Sequence, residues 1–445
     1  MRIKLVNAAL LVVGLVLAAD ARADLVIKIT QGVNQPTPIA VVPFGWGGSG
    51  ASPLDVARVV RDDLARSGLF APLPPAKMLA RPTTAKAVHF VNWKAVRVND
   101  LVIGSVTPTP SGYNVRFRLY NVYTGRQLLG YVLPSAPDAL RFTAHVVSDM
   151  IYKQLTGIPG AFATRIAYIK RVTAGKGTRW ELVVADADGA NARVVVKSPG
   201  LLMSPTWSPN GRELAYVEFA SSRSHIYIQN IATGQRRLVF ARPGLNSAPR
   251  FSPDGKRLAV VLSSSPGNPD IYILDLASGK LIRVTHSPAI DTEPAWMPNG
   301  KAIVFTSGRG GSPQVYEKNL DTGSVQRLTW QGGYNARPVV SPSGKKIAFV
   351  HRENGALHIA LINLASGNMR LLTNGPADVS PSFSPNGAMI LYSTVMGRRQ
   401  MLATVSVDGQ VRQELFGTAG TLVQPVWGPF PPHLAHAEQV STPTP

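Results

Sequence analysis

Pro205-Thr206-Trp207-Ser208-Pro209-Asn210-Gly211 decides the fold, because its opening phrase keeps returning. A proline two residues before a bulky side chain recurs at Pro249-Arg250-Phe251, Pro294-Ala295-Trp296, Pro338-Val339-Val340, Pro381-Ser382-Phe383 and Pro425-Val426-Trp427, at steps of 44, 45, 44, 43 and 44 residues. That period belongs to a four-stranded propeller blade. Ser208-Pro209-Asn210-Gly211 is a hairpin turn with a mechanism: proline presets φ, asparagine tolerates the bend and glycine takes positive φ. It returns as Ser252-Pro253-Asp254-Gly255, Met297-Pro298-Asn299-Gly300, Ser341-Pro342-Ser343-Gly344 and Ser384-Pro385-Asn386-Gly387. Strands such as 302–305, 271–276 and 281–285 follow it within a unit.

The two turn types are unequal in number. The second ends in glycine six times, at Gly189, Gly234, Gly279, Gly323, Gly367 and Gly409, whereas the first ends so five times. The first unit opens at its second strand, 166–169, and the last phrase, 424–427, has no blade after it. One missing strand and one spare strand make a whole blade. The chain is therefore read as mainly β: a six-bladed β-propeller over 163–430, closed by its C-terminal strand, which protects the sheet edge.

What precedes the ring differs in kind. Residues 1–23 carry a short basic start, an apolar run and Ala21-Arg22-Ala23, the pattern of an export signal with Asp24 as the mature start. An arm (24–35) and a small α/β domain (36–157) follow. A strand is expected over 39–44, a helix opening at Ser52-Pro53 with Val56, Val59, Val60 and Leu64 at helical spacing, and a last helix opened by Pro137. Gly45-Trp46-Gly47-Gly48-Ser49-Gly50 lacks the Gly-Lys-Ser/Thr ending of a phosphate loop and reads as a mobile connection. The tail, 431–445, reads as disordered.

Composition narrows the function. The formal charge is +21, and +19 once the signal is gone with Arg2, Lys4, Arg22 and Asp20. The basic residues are scattered singly, so the chain lacks the clustered footprint of a nucleic-acid binder. No cysteine is present, which excludes disulfides and thiolate chemistry. No serine sits in Gly-x-Ser-x-Gly, and no length remains for a hydrolase domain after the ring. The eight histidines are spread singly; His433 and His436 alone have ligand-like spacing, and they lie in the tail. No metal, cofactor or catalytic set is expected.

What remains is surface. In a propeller the first strand of each blade lines the axis, so the residues before each proline crowd one mouth of the channel. They are Leu202-Met203-Ser204, Asn246-Ser247-Ala248, Asp291-Thr292-Glu293, Asn335-Ala336-Arg337, Asp378-Val379-Ser380 and Leu422-Val423-Gln424. They diverge where the turns at the other face repeat, and divergence on a repeating scaffold is where specificity can live. Two alternatives stand beside a docking role: a hydrolase using Asp291, Glu293 and Asp378 as carboxylates, and a propeller that binds a small anion.

The chain resembles the TolB family of the periplasmic Tol–Pal envelope system over nearly its whole mature length. The residues that carry the likeness are the arm Leu25-Val26-Ile27-Lys28-Ile29-Thr30-Gln31-Gly32-Val33, the stretch 39–44, Asp100-Leu101-Val102-Ile103-Gly104-Ser105-Val106 and Asp291-Thr292-Glu293-Pro294. Phe251-Ser252-Pro253-Asp254-Gly255-Lys256 joins them. The resemblance implies a non-enzymatic periplasmic adaptor, a monomer peripheral to membranes. It would bind the lipoprotein Pal at the channel mouth and the protein TolA through the arm, Asp24 to Val33, and serve outer-membrane integrity, constriction at cell division and colicin import. Other envelope proteins are possible partners. By similarity Asn246, Ala248 and Thr292 belong to the Pal face, with Ser247, Asp291, Glu293, Asn335, Ala336, Arg337 and Asp378 around them. The resemblance also implies that Pal alters the availability of the arm; if the arm packs on the small domain when Pal is bound, two states compete and each partner biases the other.

Overall fold

The computed structural model describes residues 26–174, 177–220, 223–263, 267–416, 420–431 and 438–439. The export signal, Asp24, Leu25 and most of the tail lie outside the described residues.

The small domain is a mixed sheet under helices. Thr37–Val41 runs parallel to Phe70–Pro72 on one side and to Asp100–Thr109 on the other; Gly112–Asn121 and Gln127–Ser135 continue antiparallel. Helices α1 (Val56–Arg66) and α3 (Leu140–Thr156) pack on one face, while α2 (Phe90–Ala95) inserts Trp93 into a second cluster on the other. Three local expectations need correction. Helix α1 starts after Asp55, not at Ser52-Pro53, because the Asp55 carboxylate accepts the Arg58 amide N–H at 2.8 Å and caps the helix. The glycine-rich stretch is partly pinned: Gly45–Trp46 pairs with Ser105 and Val106. Glu438–Gln439, within the tail read as disordered, adds a short edge strand against Val132 and Tyr131.

The ring is six blades of four antiparallel strands. The innermost strands are Leu202–Trp207, Asn246–Phe251, Asp291–Trp296, Asn335–Val340, Val379–Phe383 and, for the first blade, Thr421–Trp427, which pairs with Arg165–Ala174. We number the blades from the one holding Arg165–Ala174. Blade 1 is thus assembled from both ends of the propeller sequence, as the spare strand required. Apolar clusters fill the space between successive blades, for example Leu182, Leu214 and Tyr216 between blades 1 and 2.

The recurring proline has a structural cause absent from any single turn. In every inner strand the pairing slips at the phrase: Ser204 and Pro205 together oppose the single residue Tyr216, and Arg337 and Pro338 oppose Phe349. This is a β-bulge, and proline fits it because no ladder N–H is needed there. The residue before each proline takes positive φ: 51° at Ser204, 48° at Ala248, 55° at Glu293, 54° at Arg337, 58° at Ser380 and 49° at Gln424. Six such non-glycine outliers at one radius, each costing on the order of 1–3 kcal/mol, persist because the ring around them fixes the bulge.

The small domain sits on the turn face, opposite the mouth. Asn386, in a repeated turn of blade 6, donates to the Pro159 carbonyl at 2.8 Å, and Arg66 donates to the Ala187 carbonyl at 3.0 Å. At the joint Asp63 of α1, His145 of α3 and Asp188 of blade 1 converge. His145 Nδ1 is 2.7 Å from Asp63 Oδ2 and its Nε2 is 3.6 Å from Asp188 Oδ2. Arg66 binds Asp63 at 2.8 Å, and Arg141 binds Asp188 and lies near Asp186. Desolvation opposes charge on His145, but Asp63 and Asp188 overcome it and raise its pKa. With His145 protonated, three cations face three carboxylates. A metal ion placed among Asp63, His145 and Asp188 would meet a balanced site, so the cluster reads as an ion-pair joint.

Candidate functional site

Two features stand out: the channel mouth, and the arm clipped to the outside of blade 6. At the mouth the first residue of each triplet is buried in all six blades: Leu202, Asn246, Asp291, Asn335, Asp378 and Leu422. Four of these are polar and act as internal ties. Asn246 donates to the carbonyls of Ser224 (2.9 Å) and Arg242 (2.7 Å). Asn335 bonds Gln314, the Gln331 carbonyl and His351. Asp378 accepts from Thr394 Oγ1 at 2.6 Å and from the Gly375 N–H at 2.9 Å. Asp291 takes Arg309 at 2.9 Å. Sequence reasoning placed Asn246, Asp291, Asn335 and Asp378 on a contact face; in this structure their side chains are buried and bonded within the protein. They hold the rim loops to the blades, because a polar side chain at a strand start is within reach of loop backbone.

The second residues, Met203, Ser247, Thr292, Val379 and Val423, are half-buried, while Ala336 is buried. The third residues are the bulge residues, and Ser204, Ala248, Glu293, Arg337, Ser380 and Gln424 line an axial cavity of about 190 Å³. Glu293 pairs with Arg337 at 2.8 Å, and its other oxygen accepts from Thr306 Oγ1 and the Arg337 amide. The three carboxylates weighed for hydrolysis are thus all engaged: Asp291 by Arg309, Glu293 by Arg337, Asp378 by Thr394 and Gly375. This arrangement offers no free acid–base pair.

Sequence reasoning missed the rim itself, the loops that lead into each inner strand. Ile290 is 54% exposed there and Trp330 73%. The guanidinium of Arg327 lies 4.6 Å from the Trp330 ring, and that of Arg352 lies 4.5 Å from the half-buried Tyr334 ring. Aromatic and arginine side chains together are the composition of binding hot spots. The available signal was a tryptophan and a tyrosine five and one residues before Asn335, in a loop otherwise rich in glycine.

The arm strand Val26–Gln31 pairs antiparallel with Arg412–Phe416, the outermost strand of blade 6, in register Val26 to Phe416 through Gln31 to Arg412 with one irregularity at Thr30. It is a fifth strand on a blade complete without it. In this structure of the chain alone, the arm's seat is a blade edge beside the small domain. Ile29 borders a cavity shared with Asp62, Asp63, Arg66 and Asp188, so the arm touches the interdomain joint.

Comparison with known proteins now bears on this geometry. A model of the TolB beta propeller domain matches residues 152–431, and one of the TolB amino-terminal domain matches 25–128. The chain belongs to the TolB family. The Tol-Pal system protein TolB of Thioalkalivibrio sulfidiphilus is 50% identical over 424 residues, covering 95% of this chain and 97% of that one. That of Xanthomonas oryzae pv. oryzae is 45% identical over 232 residues, about half of each chain. The crystal structure of TolB from Acinetobacter baumannii superposes with a TM-score of 0.85 at 40% identity, covering 91% of this chain and all of the other. Among the described residues no helix is long and apolar enough to cross a membrane.

Proposed function

We propose that the protein is a periplasmic adaptor that docks the lipoprotein Pal on its channel mouth and offers its N-terminal arm to TolA. On this reading it supports outer-membrane integrity and envelope constriction at cell division, and provides the route taken in colicin import. Membership of the TolB family makes it a non-enzymatic component of the Tol–Pal envelope system.

One observation carries the reading: the arm is an added edge strand, Val26–Gln31, on a blade that needs no fifth strand. Edge pairing can be exchanged for pairing with another sheet, since the same backbone N–H and C=O groups serve either partner. Docked and released arms are then two competing states, and a partner that prefers one biases the other by an equal coupling free energy. The tie at Asp378 gives Pal a means of acting at a distance, because it joins a rim loop to blade 6, the blade that carries the arm. Half-buried Ser247 and Thr292, with exposed Ile290 and Trp330, form the accessible part of the Pal face.

The experiment compares the mature protein with a form lacking residues 24–33 by calorimetry. Deletion abolishes TolA binding and leaves Pal binding at the mouth intact. Unchanged TolA affinity would refute the role of the arm.

A further inference from the structure

The axial channel holds a charge that the protein does not neutralise. Three ionisable side chains line the cavity: Arg250, Glu293 and Arg337. Glu293 and Arg337 are spent on one another, and Arg337 Nη1 also donates to Ser380 Oγ at 2.7 Å. Arg250 donates to the carbonyl of its own neighbour, Pro249, at 3.0 Å, and among the described residues it meets no carboxylate within ion-pair distance. Burial lowers its pKa to about 10, with Glu293 opposing that fall and Arg337 adding to it, so it stays charged at neutral pH. A guanidinium has five N–H donors in a fixed fork, and a desolvated cation without a counter-charge is costly unless an anion joins it.

The surroundings fit such an anion. A cavity of about 190 Å³ has room for several waters or one small oxyanion. Ser380 Oγ accepts from Arg337 and keeps its own O–H to donate. Gln424 Oε1 accepts the Ser204 amide at 2.6 Å, which leaves its NH₂ as a donor. The small side chain of Ala248 keeps the space open beside Arg250.

We propose that this cavity is an oxyanion-binding site in which the Arg250 fork holds a phosphate- or carboxylate-class anion, with the hydroxyl of Ser380 and the amide of Gln424 as further donors. The anion has two possible sources, a free ion in solution or a carboxylate carried on a docked partner. Their shared chemistry is an oxygen pair matched to a guanidinium.

The test uses the mature full-length chain without any partner protein, so its result is separable from that of the arm deletion. Inorganic phosphate, and in a second arm acetate, replaces chloride at constant ionic strength while binding is followed by calorimetry and by thermal unfolding. The wild type binds saturably and its Tm rises with ligand. Arg250→Gln lowers affinity at least tenfold, yet without ligand it melts no lower than the wild type, because glutamine removes a half-buried charge that has no ion-pair partner among the described residues. Arg250→Lys, which keeps charge without the fork, lies between. Acetate binding without phosphate binding assigns the seat to a carboxylate. Absence of saturable binding by either ion, or equal binding in Arg250→Gln, overturns the proposal.

Discussion

Replacing Asp63 with asparagine keeps the shape of the side chain and removes one charge from the joint between the domains. Burial by itself would raise the Asp63 carboxyl, but His145 and Arg66 outweigh it and hold the pKa down at about 2, against 3.8 for the free group. That gap corresponds to about 2.5 kcal/mol of folding stability. The substitution also strips His145 and Arg66 of a countercharge; breaking a buried pair from one side costs roughly 3–5 kcal/mol. Asp188, 3.6 Å from His145 Nε2, offsets part of this. The expected loss is about 2.5–4 kcal/mol. Its pH dependence follows from the two shifts. A carboxyl held low contributes fully above its unfolded value and loses that contribution as pH falls toward about 2. A histidine held high contributes fully below its unfolded value and loses it as pH rises through the folded one. The difference between wild type and Asp63→Asn is therefore widest between about pH 4 and 6.5 and narrows on both sides. Asp149, which burial raises to about 7 with the Asp63 charge adding to the rise, titrates in both proteins and loses that added push in Asp63→Asn. Denaturant unfolding followed by tryptophan fluorescence from pH 2.5 to 8 measures the difference. A gap below about 1 kcal/mol, or one flat between pH 2.5 and 6, would refute the account of the joint.

Three further outcomes are expected. Leu422→Ala, in the strand that closes blade 1, costs about 2–5 kcal/mol as a buried leucine does; an unaltered denaturation midpoint would break the ring-closure argument. Gly200→Ala destabilises by about 1–3 kcal/mol, because its Cβ would lie 1.7 Å from the Phe219 carbonyl oxygen, and equal stability would show that the loop relaxes freely. Trp330→Ala changes stability by less than about 0.5 kcal/mol, since the ring is 73% exposed. It weakens Pal binding by about tenfold or more as a rim hot spot; identical affinities by calorimetry would remove that rim from the docking face.

Much of the architecture was legible because its causes are local. Ser-Pro-Asn-Gly specifies its own hairpin, with the Gly211 amide on the Ser208 carbonyl at 2.9 Å and φ of 67°, whatever surrounds it. Repetition every 44 or so residues and the spare strand at 424–427 then leave little choice but a ring closed by its own end. Three things were beyond that reading, each settled by residues distant in sequence. Asn246, Asp291, Asn335 and Asp378 look like surface in a divergent triplet; only the folded ring supplies their partners, from the preceding blade for Asn246 and Asn335 and from their own blade for Asp291 and Asp378. His145 stands alone along the chain, yet lies 82 residues from Asp63 and meets it when the small domain settles on blade 1. The arm carries an edge strand's alternation without naming the edge, and the outer strand of blade 6 provides it. Turn chemistry and period are properties of neighbouring residues, so sequence determines them; burial, ion pairing and strand exchange depend on which surfaces the closed ring brings together, so tertiary structure decides those.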